Sequence, residues 1–179
     1  MTSDIASELI MVDRDKPFKL PVEFTDKFGG FSIKFQNKKA KQVLEFTLDD
    51  VIFMDVPKEY PMKASHFCNN LVGWGHTPLD AYCARAIFEN KLFLEGLKSL
   101  WKNPKGKAVY SPNYLSSVSF LGTHFSKERV DHFLCLKYDL ENPQAKPALV
   151  VYEDAPRWKR HLDYALVFKK EFIERCLNG

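Results

Sequence analysis

Five histidines and four cysteines carry the most chemical capacity in this chain. His66-Phe67-Cys68 sets two metal-ligating side chains on one side of a strand, and His132 and Cys135 would share one side of a helix. Structural zinc sites use C-x2–4-C and H-x3–5-H spacings, which neither pair meets. The run after His132 also alternates like a strand, where residues three apart face opposite ways. No metal and no cofactor is expected. A cysteine nucleophile needs its thiolate beside an imidazole. Cys68 and Cys135 have histidines close in sequence, whereas Cys83 and Cys176 fall on apolar helix faces and read as buried and inert. The chain has no G-x-S-x-G elbow, no G-x-x-x-x-G-K-[ST] phosphate loop, no G-x-G-x-x-G and no H-E-x-x-H. No catalytic residue is assigned, and a hydrolase or transferase with an unrecognised site stays open as an alternative.

Two loops have the residue types of a binding surface. In Gly73-Trp74-Gly75-His76-Thr77-Pro78 a tryptophan stands between two glycines, and His76 precedes a helix start whose bare N–H groups can accept an anion. The simpler reading is that Trp74 plugs the core beneath the loop while the glycines make room. The second loop is Glu153-Asp154-Ala155-Pro156-Arg157-Trp158-Lys159-Arg160-His161, in which carboxylates lead into a basic cluster around a tryptophan. Lying between two strands, it is expected to be exposed. Arg and Trp are common anchors of protein interfaces and also suit base stacking. The partner-binding residues expected are Asp154, Arg157, Trp158, Lys159, Arg160, Trp74 and His76. Lys38–Lys41 and Lys102–Lys107 are further basic stretches, each readable as a solvated turn.

The elements that must position these loops follow from periodicity. Residues 4–12 suit a short helix capped by Ser3 or Asp4. Phe18, Leu20, Val22 and Phe24 alternate, with Pro21 marking an edge strand. After a turn at Phe28-Gly29-Gly30 come Phe31–Phe35, Val43–Leu48 and Val51–Met54, which together suggest an antiparallel meander. Residues 62–71 suit a helix. Thr77-Pro78-Leu79-Asp80 has the form of a capping box with proline at the first helical position. Apolar spacing then runs to Trp101, so one long central helix over about 78–101 is expected, with Gly96 able to bend it. Strands follow at 107–110, 114–121, 133–140 and 148–153, with Ser126 capping one turn at Lys127–Asp131. Leu162–Phe168 alternates before the period changes to 3.6, so the chain ends as strand then helix.

At 179 residues the chain suits one domain spanning 1–179, large enough to bury its own core. The expected class is α+β: a mixed, mainly antiparallel sheet with a long central helix and a C-terminal helix packed on it. A formal net charge of +3, from 26 basic and 23 acidic residues, predicts no particular partner. The four cysteines are scattered, without a CxxC pair, and read as free thiols. No apolar run is long enough to span a membrane, and Met1-Thr2-Ser3-Asp4 lacks the positive charge of a secretory signal. Cys176-Leu177-Asn178-Gly179 fails the prenylation pattern at its last two positions. The expected place is cytoplasmic, without a membrane partner. By elimination the chain reads as a non-catalytic protein-binding domain, one form being a small inhibitor or immunity-type protein that occludes a toxic enzyme. A nucleic-acid binder using the basic segments is the alternative.

Overall fold

The structure is a computed structural model that describes residues 8–18, 32–57, 62–95, 116–138, 147–155 and 164–178. Its elements run β1 (Ile10–Met11), β2 (Ser32–Gln36), β3 (Glu45–Phe46), β4 (Val51–Asp55), α1 (Ala64–Gly73), β5 (Thr77–Pro78), α2 (Ala81–Glu89), β6 (Ser116–Lys127), β7 (Val130–Tyr138), β8 (Ala148–Glu153), β9 (Tyr164–Phe168) and α3 (Lys170–Asn178). The class is α+β. Among the described residues no helix is long and apolar enough to cross a membrane.

Seven strands form one sheet in which β4-β9-β6-β7-β8 are successive neighbours, β2 joins β6 and β5 joins β9. Among the described strands only β6 and β9 run parallel, pairing Val118 with Tyr164 and Ser119 with Ala165. Every residue of β9 is buried. Tyr164, Leu166 and Phe168 join one apolar cluster while Ala165 and Val167 join another. A strand covered on both faces needs apolar residues at every position, and Tyr-Ala-Leu-Val-Phe provides them. On one face α1 contributes Ala64, Phe67, Cys68 and Leu71 against Leu121, Phe133 and Cys135. On the other, α2, α3 and the β1–β3 ribbon pack on Val118, Phe120, Leu134 and Leu136.

One edge of β6 serves two partners. Residues Val118 and Ser119 pair with β9, and residues 123–126 pair with β2. Between them the register against β7 shifts from Phe120 to His124. Gly122 lies in that irregularity, where its N–H donates to the Leu79 carbonyl at 2.8 Å and its own carbonyl accepts from Asn37 N–H at 2.7 Å. A Cβ at this position would stand 2.7 Å from the Leu79 carbonyl carbon, so only glycine admits the approach. The β6–β7 hairpin turns at Glu128 and Arg129, whose φ values of 49° and 69° are left-handed. Such a turn matches the twist of the two strands it joins. It replaces the helical turn expected at 127–131.

Several sequence expectations are corrected. The helix expected at 4–12 is replaced, in its described part, by β1, which pairs with β3. No meander forms among β2, β3 and β4, since they pair with β6, β1 and β9 respectively. The long central helix is not found over 78–95. Thr77 and Pro78 are a short strand on β9, and the helix begins at Ala81 because Asp80, not Thr77, is its cap. Asp80 Oδ1 accepts from Cys83 N–H at 3.0 Å. The helix stops at Asn90, which is extended at φ −97°, ψ 105°. The Asn90 side chain accepts from Phe93 N–H at 2.9 Å and so caps a new helix at 91–95. Asparagine competes with the backbone for hydrogen bonds, which favours a cap over a helix interior. The expectations for 19–31, 96–115 and 139–146 lie outside the described residues.

Candidate functional site

Helix α1 ends in a way that places Trp74 and His76 on the surface. Gly75 N–H donates to the Val72 carbonyl at 3.0 Å and His76 N–H to the Leu71 carbonyl at 2.9 Å. These are the two bonds of a Schellman termination, which requires a left-handed residue next to last. Gly75 fills that place with φ of 85°. Trp74 is therefore turned outward and is 61% exposed. The expectation that it plugs the core is overturned. His76 is half-buried, and the helix that follows starts five residues on, at Ala81.

A cavity of about 340 Å³ opens beside this turn. Its described walls are Phe35 and Gln36 from β2, Asn37, Lys38 and Lys39 from the following turn, Asn69 and Val72 from α1, and His76 and Thr77. Two features that the sequence left apart thus meet: the Lys38–Lys41 stretch and the Gly73–His76 loop. Both lysines are exposed, as are Phe35 and Val72, and no carboxylate is among the described walls. An exposed aromatic ring, an aliphatic side chain and two cations around one hollow suit a ligand that is partly apolar and partly anionic.

The turn holding the lysines is braced. Asn37 is buried, and its Oδ1 accepts from Lys39 N–H at 3.0 Å and Ala40 N–H at 3.1 Å. Its carbonyl accepts from Lys41 N–H at 3.0 Å. Gln36 Nε2 donates to Asp80 Oδ2 at 2.9 Å, and Arg14 Nη1 reaches the same oxygen at 2.5 Å. Arg14 also donates to the Ala40 carbonyl at 2.6 Å and the Val43 carbonyl at 2.9 Å. One buried carboxylate therefore ties the N-terminal segment, the end of β2 and the start of α2 together. A rigid rim loses less entropy when it binds.

The cysteine thiols and one imidazole are withdrawn from the surface. Cys68, Cys83 and Cys135 are buried and Cys176 is half-buried, all as free thiols. Burial, with a smaller contribution from Asp154, pushes the Cys68 thiol up to about 12. Burial lifts Cys135 and Cys83 well above the ordinary thiol value, in Cys83 with help from Asp80. Cys176 is raised too, by burial and then by Asp50. None is disposed to be a thiolate near neutrality. His124 is 5% exposed, and its Nε2 meets no hydrogen-bond partner among the described residues. Burial lowers its pKa, against the opposing pull of Asp154 and the Leu121 carbonyl. Among the described residues no group of three His, Cys, Asp or Glu side chains is placed to hold a metal ion.

The second expected loop divides. Asp154 is only 7% exposed, and its Oδ1 accepts from Ser65 N–H at 3.3 Å in the first turn of α1. That carboxylate complements the positive end of the helix dipole. Arg157, Trp158, Lys159 and Arg160 lie outside the described residues. Phe35, Asn69 and Val72 were missed by sequence reasoning, although the alternation at Phe31–Phe35 had marked the strand that presents the ring. No protein-family model matches this chain, and no similar curated protein or solved structure was found for it.

Proposed function

We propose that this protein is a non-catalytic binding domain that takes an acidic, partly apolar segment of another protein into the groove between β2, the 37–39 turn and the end of α1. The observation that carries the reading is the meeting of exposed Phe35 and Val72 with Lys38 and Lys39 around a hollow whose described walls hold no carboxylate, with exposed Trp74 in the turn between Val72 and His76. Aromatic anchors inside a charged rim are typical of protein interfaces. Among the described residues β2 pairs along one edge, with β6, and an unpaired strand edge can hydrogen-bond an extended segment. Withdrawn thiols and a buried imidazole make poor nucleophiles and bases, which favours binding over catalysis. Free cysteines suit a reducing compartment such as the cytoplasm. A small inhibitor of immunity type, seated on an acidic surface of an enzyme, is one form of this domain.

Selection from a peptide-phage library on the immobilised protein tests the proposal. Acidic sequences with aromatic or aliphatic residues are expected to be enriched. Trp74→Ala should weaken the selected peptides about 30-fold, corresponding to the ~2 kcal/mol of a buried aromatic anchor. Lys38→Gln with Lys39→Gln should flatten the salt dependence. Peptides that bind both variants as well as the wild type would refute the site. Binding of a single-stranded oligonucleotide, with a log–log salt slope that falls by roughly 0.7–0.9 per lysine removed, would put nucleic acid in place of protein.

A further inference from the structure

Arg85 on α2 carries a second signal, independent of the groove beside α1. The residue is only 8% exposed. Nη1 donates to the carbonyls of Lys16 at 3.1 Å and Pro17 at 3.2 Å, and Nη2 donates to the carbonyl of Asp13. The guanidinium carbon lies 5.2 Å from the centre of the Tyr82 ring. These three hydrogen bonds are fewer than the five donors a guanidinium offers. All three go to backbone dipoles, and among the described residues none goes to a carboxylate. Arg14, at the same distance from the Tyr82 ring, shows the contrast, because it holds Asp80 as a counter-ion. A buried charge without a partner of opposite sign is costly, and dipoles repay the cost only in part.

Arg85 also lines a cavity of about 530 Å³ whose other described walls are Lys16, Pro17, Phe18, Phe88, Glu89 and Leu149. The volume lies within the roughly 300–1,000 Å³ usual for small-molecule sites. Pro17, Phe18, Phe88 and Leu149 make the body of the cavity apolar. Glu89 is the one carboxylate among the described walls, and it is half-exposed and paired with Lys16 at 3.5 Å. The described walls therefore carry two cations against one anion, and the cation without a counter-ion is the buried one. We propose that this cavity binds a small amphipathic carboxylate, with its chain among Phe18, Phe88 and Leu149 and its headgroup on Arg85. A planar guanidinium with donors to spare favours a carboxylate over a neutral polar group.

Titration calorimetry with decanoate and with decanol, its uncharged counterpart, tests the assignment. Wild-type protein is expected to bind decanoate at one saturable site, at least tenfold more tightly than decanol. Arg85→Met should abolish that preference, and Leu149→Trp, which fills the cavity, should remove binding of both. Arg85 also fastens the Asp13–Pro17 segment, so its loss can disturb the fold. A photoreactive diazirine analogue of decanoate on wild-type protein therefore supplies a readout free of mutation. Crosslinks are expected on peptides containing Phe88 or Leu149, and excess decanoate should suppress them. Absence of saturable decanoate binding, equal affinity for acid and alcohol, or crosslinks only elsewhere would each overturn the proposal.

Discussion

Replacing Asp80 by Asn changes one buried charge and almost no volume. The Asp80 side chain is fully buried, and its two oxygens accept from Arg14, Gln36 and the backbone of Cys83. An asparagine can keep the helix cap through its carbonyl oxygen. Its amide then faces Arg14 and Gln36, so that donor meets donor. Removing one member of a buried ion pair costs about 3–5 kcal/mol. Arg14 retains its bonds to the Ala40 and Val43 carbonyls, which argues for the lower end, about 3 kcal/mol. That lowers the folding constant roughly 150-fold and removes a large share of the ~5–15 kcal/mol that holds a typical domain. Urea unfolding followed by far-UV circular dichroism measures it directly. The partner variant Arg14→Met isolates the charge term. Asp80→Asn combined with Arg14→Met should cost less than the two single losses added together, by about 1.5 kcal/mol or more. A cost for Asp80→Asn below about 0.5 kcal/mol, or strict additivity in the double variant, would refute the claim that this pair fastens the three segments.

Gly122→Ala places a Cβ against the backbone of Pro78 and Leu79, neither of which can rotate away; a loss of about 3 kcal/mol is expected in the same urea assay, and a neutral result would show that the β6 irregularity tolerates a side chain. His124 has a lowered folded pKa, so below about pH 6.5 the unfolded chain takes up a proton that the folded chain resists. Protonation of the imidazole thus contributes nothing at pH 8 and destabilises progressively as pH falls through 6.5 toward the folded value. His124→Phe should reduce the drop in urea midpoint between pH 7.5 and 5.5, and an unchanged drop would remove His124 from the account.

Legibility in the sequence tracked the range of the interactions involved. Helix α1, helix α3 and strands β7 to β9 were visible because each has a local period, as at Tyr164–Phe168 and Phe172–Ile173. The start of α2 was misplaced because Thr77 and Asp80 both have the chemistry of a cap. Only the pairing of Thr77 and Pro78 with Phe168 and Val167, some ninety residues on, decides between them. Ile10 and Met11 were taken for helix because their strand partners are Phe46 and Glu45, beyond any local window. At the site, Trp74 and His76 were singled out from residue type alone. The Schellman end that exposes Trp74 was half-written in Gly75. That Lys38, Lys39, Phe35 and Val72 would surround the same hollow depends on β2 joining β6, a contact the alternation of β2 does not encode. Arg85 escaped notice entirely, since an arginine on an amphipathic helix reads as solvated until its burial is seen.

Strand β9 lies between β4 and β6, although it follows both in the chain. While the polypeptide is being made, β4 is complete roughly a hundred residues before the strand that covers its edge exists. The sheet therefore cannot grow outward from a finished hairpin at its N-terminal end. The β6–β7 hairpin can form locally and early, but β4 has to wait until residues 164–168 slot into the gap beside it. Such late closure over long sequence separation is slow, and the waiting apolar strand edges are open to wrong partners. Shortening the chain from the C-terminal side beyond α3 would take an interior strand of the sheet rather than trim its margin.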